Sequence, residues 1–276
     1  MGQVIFVVWR ECFEALLVVG IIYSWIKHNP ESRNGMPYLY GGIGLGVLIS
    51  IILALIINGI FKELSDDHQT IFMMGMSVLA CMLIVQMVYW MNKHARSMKS
   101  SLEKEMAQQV ARHSWWGALF IIAIAIAREG SEIVVFLSGQ IMQLNSHNYA
   151  GFCIAVLIGI AVSALTFYAF ILTSRFIQWK KFFTITGIIL LFLAISLLMR
   201  AVEDGTNMLL EHDISIPDFL ISPAWDTSYL IDDSGLIGSF TSSLFAYRSQ
   251  PMWISVINFG VFWLLMAILF FRKKSK

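Results

Sequence analysis

The sequence predicts an all-α integral membrane protein, with seven transmembrane helices built as a 3+3 inverted repeat plus a seventh helix. Composition is the first reason: 58% of the 276 residues are hydrophobic and 13% are charged, with a mean hydropathy of +0.72. The second is a series of seven apolar runs, each close to the ~20 residues that cross ~30 Å of hydrocarbon. The third is a charged motif, Arg-Glu-x-x-Glu, which occurs in the first apolar run and again in the fourth.

The apolar runs define the predicted elements and domain limits. The predicted spans cover residues 3–26, 38–61, 70–91, 115–142, 150–173, 182–203 and 252–271. The predicted organisation is a first three-helix repeat (1–92), a cytoplasmic linker (93–114), a second three-helix repeat (115–210), an acidic extracytoplasmic loop (211–250), and the seventh span with a basic tail (251–276). Apolar residues recur at helical spacing in the linker, which predicts an amphipathic surface helix or an extension of the third span.

The two charged motifs are the most unusual feature of the chain. They read Arg10-Glu11-Cys12-Phe13-Glu14 and Arg128-Glu129-Gly130-Ser131-Glu132. Each charge costs roughly 2.5–3.5 kcal/mol at the middle of a transmembrane helix, so six charges cost about 15–20 kcal/mol before pairing. Within each motif the arginine and the second glutamate are i,i+4 neighbours and can pair, which leaves one carboxylate per motif without a local cation. Such a cost indicates that the motifs have a function.

The spacing of the motifs indicates an inverted repeat. The second motif begins 118 residues after the first, and the motifs lie in the first and fourth spans with two spans between them, so their helices run in opposite directions. Gly41 and Gly159 each lie 31 residues after the motif arginine, in spans rich in small residues that permit close helix packing. Spans 1–3 and 4–6 are therefore expected to be related by a two-fold axis in the membrane plane. That architecture places a substrate site near the midplane.

The distribution of lysine and arginine predicts the orientation. Basic residues concentrate in the loops 27–37, 92–114 and 174–181 and in the C-terminal tail, which together carry 14 of the 19. The opposite side has only Lys62 and Arg248. By the positive-inside rule, the N-terminus is outside and the C-terminus is inside, in the cytoplasmic (inner) membrane.

Acidic residues follow the opposite pattern. Eleven lie in the two predicted outer loops or at their edges, where they would attract cations through the local field. A shortage of lysine and arginine in outer loops is expected for topological reasons alone, but this does not explain the acids. A possible entrance vestibule for cations comprises Asp66, Asp67, Glu203, Asp204, Asp226, Asp232 and Asp233.

The chemistry of the paired motifs favours a metal ion. If the two helices meet, Glu11, Glu14, Glu129 and Glu132 form an all-oxygen cage of the kind that Mg²⁺, Ca²⁺, Mn²⁺ and Fe³⁺ prefer. Arg10 and Arg128 would lower the charge of that cage from −4 to −2 and keep it tolerable in lipid. The alternative is that each motif is only an internal ion pair holding helices together, which is less plausible for two motifs at symmetric depth.

Two Arg-Glu-x-x-Glu motifs, in the first and fourth of seven spans, resemble the oxidase-dependent high-affinity iron permeases, that is, the fungal iron permease and its bacterial EfeU-type relatives. The resemblance includes Trp225-Asp226-Thr227-Ser228 and the later Tyr247-Arg248 before the last span. It implies a transporter and not an enzyme, with no catalytic residue and no resident cofactor. It implies iron as the substrate, carried as Fe³⁺ after a partner oxidises Fe²⁺, with the four glutamates as ligands and the two arginines as supporting ion-pair partners. Cys12 and Ser131 depart from the residues usual in that family, at variable positions.

The expected partners are therefore the iron ion, the lipid bilayer and an extracytoplasmic oxidase or iron-delivery protein, and no nucleic acid. Other readings stay open. A transporter of Mn²⁺ or Mg²⁺ could use the same cage. A membrane oxidoreductase subunit could relay protons through the carboxylates, although no histidine lies within a predicted span to ligate haem. A non-transporting assembly subunit is disfavoured by the repeat.

Overall fold

The computed structural model describes residues 1–29, 35–94, 98–111, 115–142, 149–173, 179–230, 235, 238, 241–242 and 245–271. Across this part of the chain the protein is all-α, as predicted, and its only β-type pairing is an isolated antiparallel bridge between Pro223 and Met252. The helices are α1 (Gly2–His28), α2 (Met36–Glu63), α3 (Asp66–His94), α4 (Met98–Ala111), α5 (Trp115–Ile141), α6 (Tyr149–Thr173), α7 (Trp179–Glu211), α8 (Asp218–Ile221) and α9 (Trp253–Phe271). Residues 98–111 of the linker are helical and form α4.

The end of α7 differs from the sequence prediction. The predicted span stops at residue 203, but the helix continues to Glu211, so Glu203 and Asp204 lie inside a helix and not in a loop. Hydropathy falls after residue 203, yet polar residues do not by themselves end a helix. The helix ends where Asp213 adopts a positive φ of 56° and the amide of Ile214 donates to the carbonyl of Leu209, which is a Schellman-type cap.

Five helices of the described chain are long and apolar enough to cross a membrane, namely α2, α3, α6, α7 and α9. Many large apolar side chains on these helices are exposed, including Leu55, Leu165, Leu172 and Leu264. Apolar surface on this scale is expected against lipid and not against water. The motif helices α1 and α5 are 27 residues each but carry three charges in the middle, and they are not among the five.

The helices form two compact units. The first contains α1, α2, α4, α5 and α6 with the start of α7, and the second contains α3 up to Met91, α7 from Thr184, and α9. Each unit thus takes helices from both halves of the predicted repeat. Both charged motifs belong to the first unit, so the candidate site can be described within one compact body.

Close glycine contacts position the motif helices of the first unit. A Cβ atom added to Gly46 of α2 would lie 2.7 Å from the Cβ of Ile126 and 2.8 Å from the carbonyl oxygen of Ala123, both in α5. A Cβ added to Gly159 of α6 would lie 2.9 Å from the Cβ of Val8 in α1. Only glycine allows helices to approach this closely. The close approach in α2 is made by Gly46 together with Gly42, and not by Gly41, which the motif spacing had paired with Gly159.

A cluster of buried apolar side chains joins the C-terminal half of α1 to the N-terminal half of α5. Its members, called here the inner apolar cluster, are Val18, Ile22, Ile26, Leu39, Met106, Ala118, Ile122 and Ile126. Met106 comes from α4 and is almost completely buried, which explains why the amphipathic linker helix packs on this unit.

Candidate metal centre

The first motif is buried on α1. Arg10, Glu11 and Glu14 each expose 5% or less of their surface. Arg10 donates through Nη1 to Oε1 of Glu11 at 3.0 Å, and its Nη2 lies 2.7 Å from Oε1 of Glu14. The second contact is an ion pair without hydrogen-bond alignment, since Glu14 Oε1 has no hydrogen-bond partner in the described chain. One guanidinium therefore holds both glutamates of its motif.

The second motif, on α5, is arranged differently. The side chain of Arg128 is 38% exposed, and its Nε donates to Oε1 of Glu132 at a long 3.5 Å. The Ser131 hydroxyl donates to the carbonyl of Arg128 at 2.7 Å. Glu129 is buried, with 8% of its surface exposed. The predicted i,i+4 pair is present in both motifs, but it is tight only in the first.

Carboxylates from both motifs converge. Glu11, Glu14 and Glu129, called here the carboxylate cluster, each offer one oxygen within 4.8 Å of the oxygens offered by the other two. Each also has one buried oxygen without a hydrogen-bond partner in the described chain: Oε2 of Glu11, Oε1 of Glu14 and Oε2 of Glu129. Buried polar atoms are almost always hydrogen-bonded, so three buried carboxylate oxygens from two helices that accept no hydrogen bond from the described residues indicate a site for a cation, with Arg10 Nη2 beside one of them, Oε1 of Glu14. Glu132 is not in this group of three.

Ser50 of α2 helps to set this arrangement. Its hydroxyl donates to the carbonyl of Gly46 at 3.0 Å and occupies the space that a Cβ of Gly130 would need. The residue after Glu129 must therefore be glycine for α2 to pack against the second motif. Ser50 was not singled out in the sequence, because a serine in an apolar span has no motif of its own.

Two further polar contacts cross between helices of the first unit. Trp9 donates through Nε1 to the Thr166 hydroxyl at 3.0 Å, which joins α1 to α6. Gln140 donates through Nε2 to Oε1 of Gln3 at 3.2 Å, which joins α5 to α1. Neither pair was predicted from the sequence. The only signal for the glutamines is a polar amide near the end of each of two apolar runs.

Comparison with known proteins agrees with the geometry. The profile of the Iron permease FTR1 family matches residues 1–271, almost the whole chain. This chain belongs to the Iron permease FTR1 family. The resemblance inferred from the paired motifs is thereby confirmed.

Curated relatives within the Iron permease FTR1 family match along most of their length. The ferrous iron permease EfeU of Yersinia pestis is 26% identical over 267 residues, covering 96% of this chain and 91% of that protein. The ferrous iron permease EfeU of Escherichia coli O157:H7 is 25% identical over 266 residues, covering 95% and 92%. The search of solved structures found no match.

Outside the motifs, this member of the Iron permease FTR1 family carries the acidic residues predicted as a vestibule. Glu203 is held by Arg248 in a two-point contact, with Nε to Oε1 at 3.0 Å and Nη2 to Oε2 at 3.3 Å. That carboxylate ties the segment before α9 to α7. Asp204 is partly buried on the same helix, and Asp67 is exposed at the start of α3.

The other vestibule residues differ in their surroundings. Asp226 is exposed and accepts hydrogen bonds from the hydroxyl and the amide of Ser228, which lower the pKa of its carboxyl group. Asp66 begins α3, and its side chain lies outside the described part. Asp232 and Asp233 lie outside the described residues. The vestibule as a whole remains a prediction.

Proposed function

We propose that this protein imports iron across the cytoplasmic membrane and holds the ion at the carboxylate cluster during transport. The observation that carries the proposal is the convergence of three buried carboxylates, each with an oxygen that accepts no hydrogen bond in the described part of the chain, from two motifs 118 residues apart. Family membership and the names of the relatives support iron as the cargo. Arg10 and Arg128 support the site by limiting its negative charge, and Glu132 orients Arg128 or joins the ligands as the ion moves.

The carried form is proposed to be Fe³⁺, supplied by an outer oxidase or delivery protein from Fe²⁺. An all-oxygen set suits the harder ion, and no softer donor belongs to the cluster. An inside-negative potential contributes about 2.3 kcal/mol per charge per 100 mV, so a +3 ion gains ~7 kcal/mol and needs no ATP. The curated relatives are named for ferrous iron, and Mn²⁺ or Mg²⁺ would also accept carboxylates, so the test must compare these ions.

The proposed architecture is seven spans, with α1 and α5 crossing the membrane alongside the five apolar helices, and an inverted repeat. At 27 residues, each motif helix is about 40 Å long, enough to span. The repeat is supported by α2 and α6, whose buried positions follow the same spacing: Leu39, Gly42, Gly46, Ser50 and Ile57 in α2, and Phe152, Ala155, Gly159, Ser163 and Phe170 in α6. In this alignment Gly46, and not Gly41, is the counterpart of Gly159.

The proposed orientation places the N-terminus outside and α4 inside, on the basis of the lysine and arginine distribution. Asp67 and Lys104 are exposed and allow a direct test. In a background without native cysteines, Asp67→Cys should react with an impermeant maleimide in intact cells, whereas Lys104→Cys should react only after the membrane is opened. Labelling of position 104 from outside would reverse the proposed topology.

The function itself is tested with purified protein in sealed vesicles under an inside-negative potential. Uptake is measured for Fe³⁺-citrate, for Fe²⁺ kept reduced by ascorbate, and for Mn²⁺, with Glu129→Gln as the inactive control. We expect the wild-type protein to take up Fe³⁺ and the Glu129→Gln variant to take up none. Faster uptake of reduced Fe²⁺ than of Fe³⁺ would show that the ferrous ion is the carried form. Uptake of Mn²⁺ without uptake of either iron ion would show that the cargo is not iron.

A further inference from the structure

The Gln3–Gln140 hydrogen bond, called here the amide bridge, joins the two motif helices at a distance from their charges. Gln3 exposes only 3% of its surface, and its Oε1 accepts from Nε2 of Gln140 at 3.2 Å. Gln3 is the first residue of its predicted span and Gln140 is two residues from the end of its own, and an amide pair between membrane helices contributes only ~0.6 kcal/mol on average to their association. Stability alone is a weak reason for placing two glutamines there.

The amide bridge lies in the same seam between α1 and α5 as the carboxylate cluster. Eleven residues separate Gln3 from Glu14 on α1, and eleven separate Glu129 from Gln140 on α5. Eleven residues are three helical turns plus about 20°, so on each helix the glutamine and the glutamate share a face, about 16 Å apart along the axis. Because Glu14 and Glu129 meet at the cluster and the helices are antiparallel, the seam continues from one pair to the other.

The opposite end of the seam has a different chemistry. There, Ile22 of α1 and Ile122 of α5 belong to the inner apolar cluster, which is closed by hydrocarbon side chains and by Met106 of α4. A hydrated cation finds no oxygen in that cluster to replace its water. At the end near the chain's N-terminus, the amide bridge offers two carbonyl oxygens. The two ends of the seam therefore differ in their capacity to accept an ion.

We propose that the amide bridge is the outer access point of the iron site: an entering ion parts the Gln3–Gln140 hydrogen bond and is held by the two amide oxygens before it reaches the carboxylate cluster. This inference rests on the proposed function and orientation. Amide oxygens are hard donors suited to such ions, as carboxylates are, but they carry no net charge. They replace lost water without trapping the ion ahead of the negatively charged cluster.

The test compares Gln3→Leu, Gln140→Leu and the double variant, with Gln86→Leu of α3 as the matched control. Iron uptake is measured in vesicles, and iron binding to the cluster is measured on the purified proteins. The double variant should lose about tenfold or more in uptake rate, as expected when polar ligands are removed from a path, and should bind iron within about twofold of wild type. Gln86→Leu should match wild type in both.

Two conservative variants separate an ion-handling role from a purely structural one. Gln140→Asn keeps an amide oxygen and should recover part of the rate. Gln140→Glu adds a charge and should lower both the half-saturating iron concentration and the maximal rate. Uptake by the double leucine variant within about twofold of wild type, or equal losses of binding and uptake, would overturn the inference. Absence of iron uptake by the wild-type protein would instead refute the proposed function.

Discussion

Nη2 of Arg10 lies 2.7 Å from Oε1 of Glu14, and both side chains are almost completely buried. The corresponding contact in the second motif, between Arg128 and Glu132, is 3.5 Å long, and Arg128 is 38% exposed. Two motifs of the same composition thus hold their charges unequally. The first supplies two carboxylates to the cluster and the second supplies one. Because of this inequality, we expect matching substitutions in the two motifs to have different effects, which the sequence alone does not predict.

The glutamates should differ in importance. We expect Glu11→Gln, Glu14→Gln and Glu129→Gln to lower iron affinity by at least the ~10–100-fold that loss of an outer-shell partner costs, because each removes a charged ligand. Glu132→Gln should cost less, since Glu132 lies outside the three-oxygen group. Iron binding to purified variants is the measurement, with Glu211→Gln, at the exposed end of α7, as the control. Equal losses at all four positions would show that Glu132 is a full ligand.

The arginines should differ in their effect on stability. Replacing Arg10 by Gln leaves two buried glutamates without their shared cation, a loss of the kind that costs ~3–5 kcal/mol for buried pairs. Replacing the half-exposed Arg128 by Gln should destabilise the protein much less. Thermal unfolding of the purified variants in one detergent checks this order. Arg10→Lys should restore only part of the loss, because an ammonium cannot reproduce the two-point contact. A larger effect at Arg128 would contradict the observed burial.

The glycine contacts should be sensitive to a single methyl group. Gly46→Ala and Gly159→Ala place a Cβ within 3 Å of another Cβ, so α2 or α6 must move away from its motif helix at a cost of ~1–3 kcal/mol. Gly44→Ala is the matched control, because a Cβ there has no heavy atom within 4 Å, and alanine favours a helix over glycine by up to ~1 kcal/mol. Melting temperatures and iron affinity should fall together for the first two variants only. An unchanged Gly46→Ala protein would show that α2 and α5 pack less closely.

The contact between Glu203 and Arg248 should stabilise the segment before α9 against α7. Both side chains are partly buried and meet at two points, so a double-mutant cycle with Glu203→Gln and Arg248→Gln should give a coupling of ~1–2 kcal/mol. Each single variant should also be cut faster by protease in the loop between α7 and α9. If Glu203 instead serves chiefly as a free cation ligand, Arg248→Gln will raise uptake at low iron without lowering stability.

Much of the fold follows from local properties of the chain. Span limits near 3–26 and 150–173 agree with α1 and α6 to within two residues, because a run of apolar residues must be helical to satisfy its backbone in lipid. The end of α7 was missed because hydropathy locates the membrane and not the helix terminus. That end depends on the left-handed φ of Asp213. The linker helix was expected from the helical spacing of its apolar residues. The packing of its Met106 into the inner apolar cluster was not expected.

The sequence by itself determined the membrane class, the helical content and the family, and it singled out the four glutamates with their arginines as candidates, because each depends on residue type and spacing along the chain. Only the tertiary structure decided which glutamates converge. Glu129 and Glu132 are three residues apart and lie about 60° apart around α5, so a modest rotation of the helix exchanges their roles. That rotation is set by the contacts of Gly46 and Ser50 in α2 with α5, whereas the contact of Gly159 in α6 positions the other motif helix, α1. Such contacts join residues far apart in the chain, and no local pattern in either motif records them.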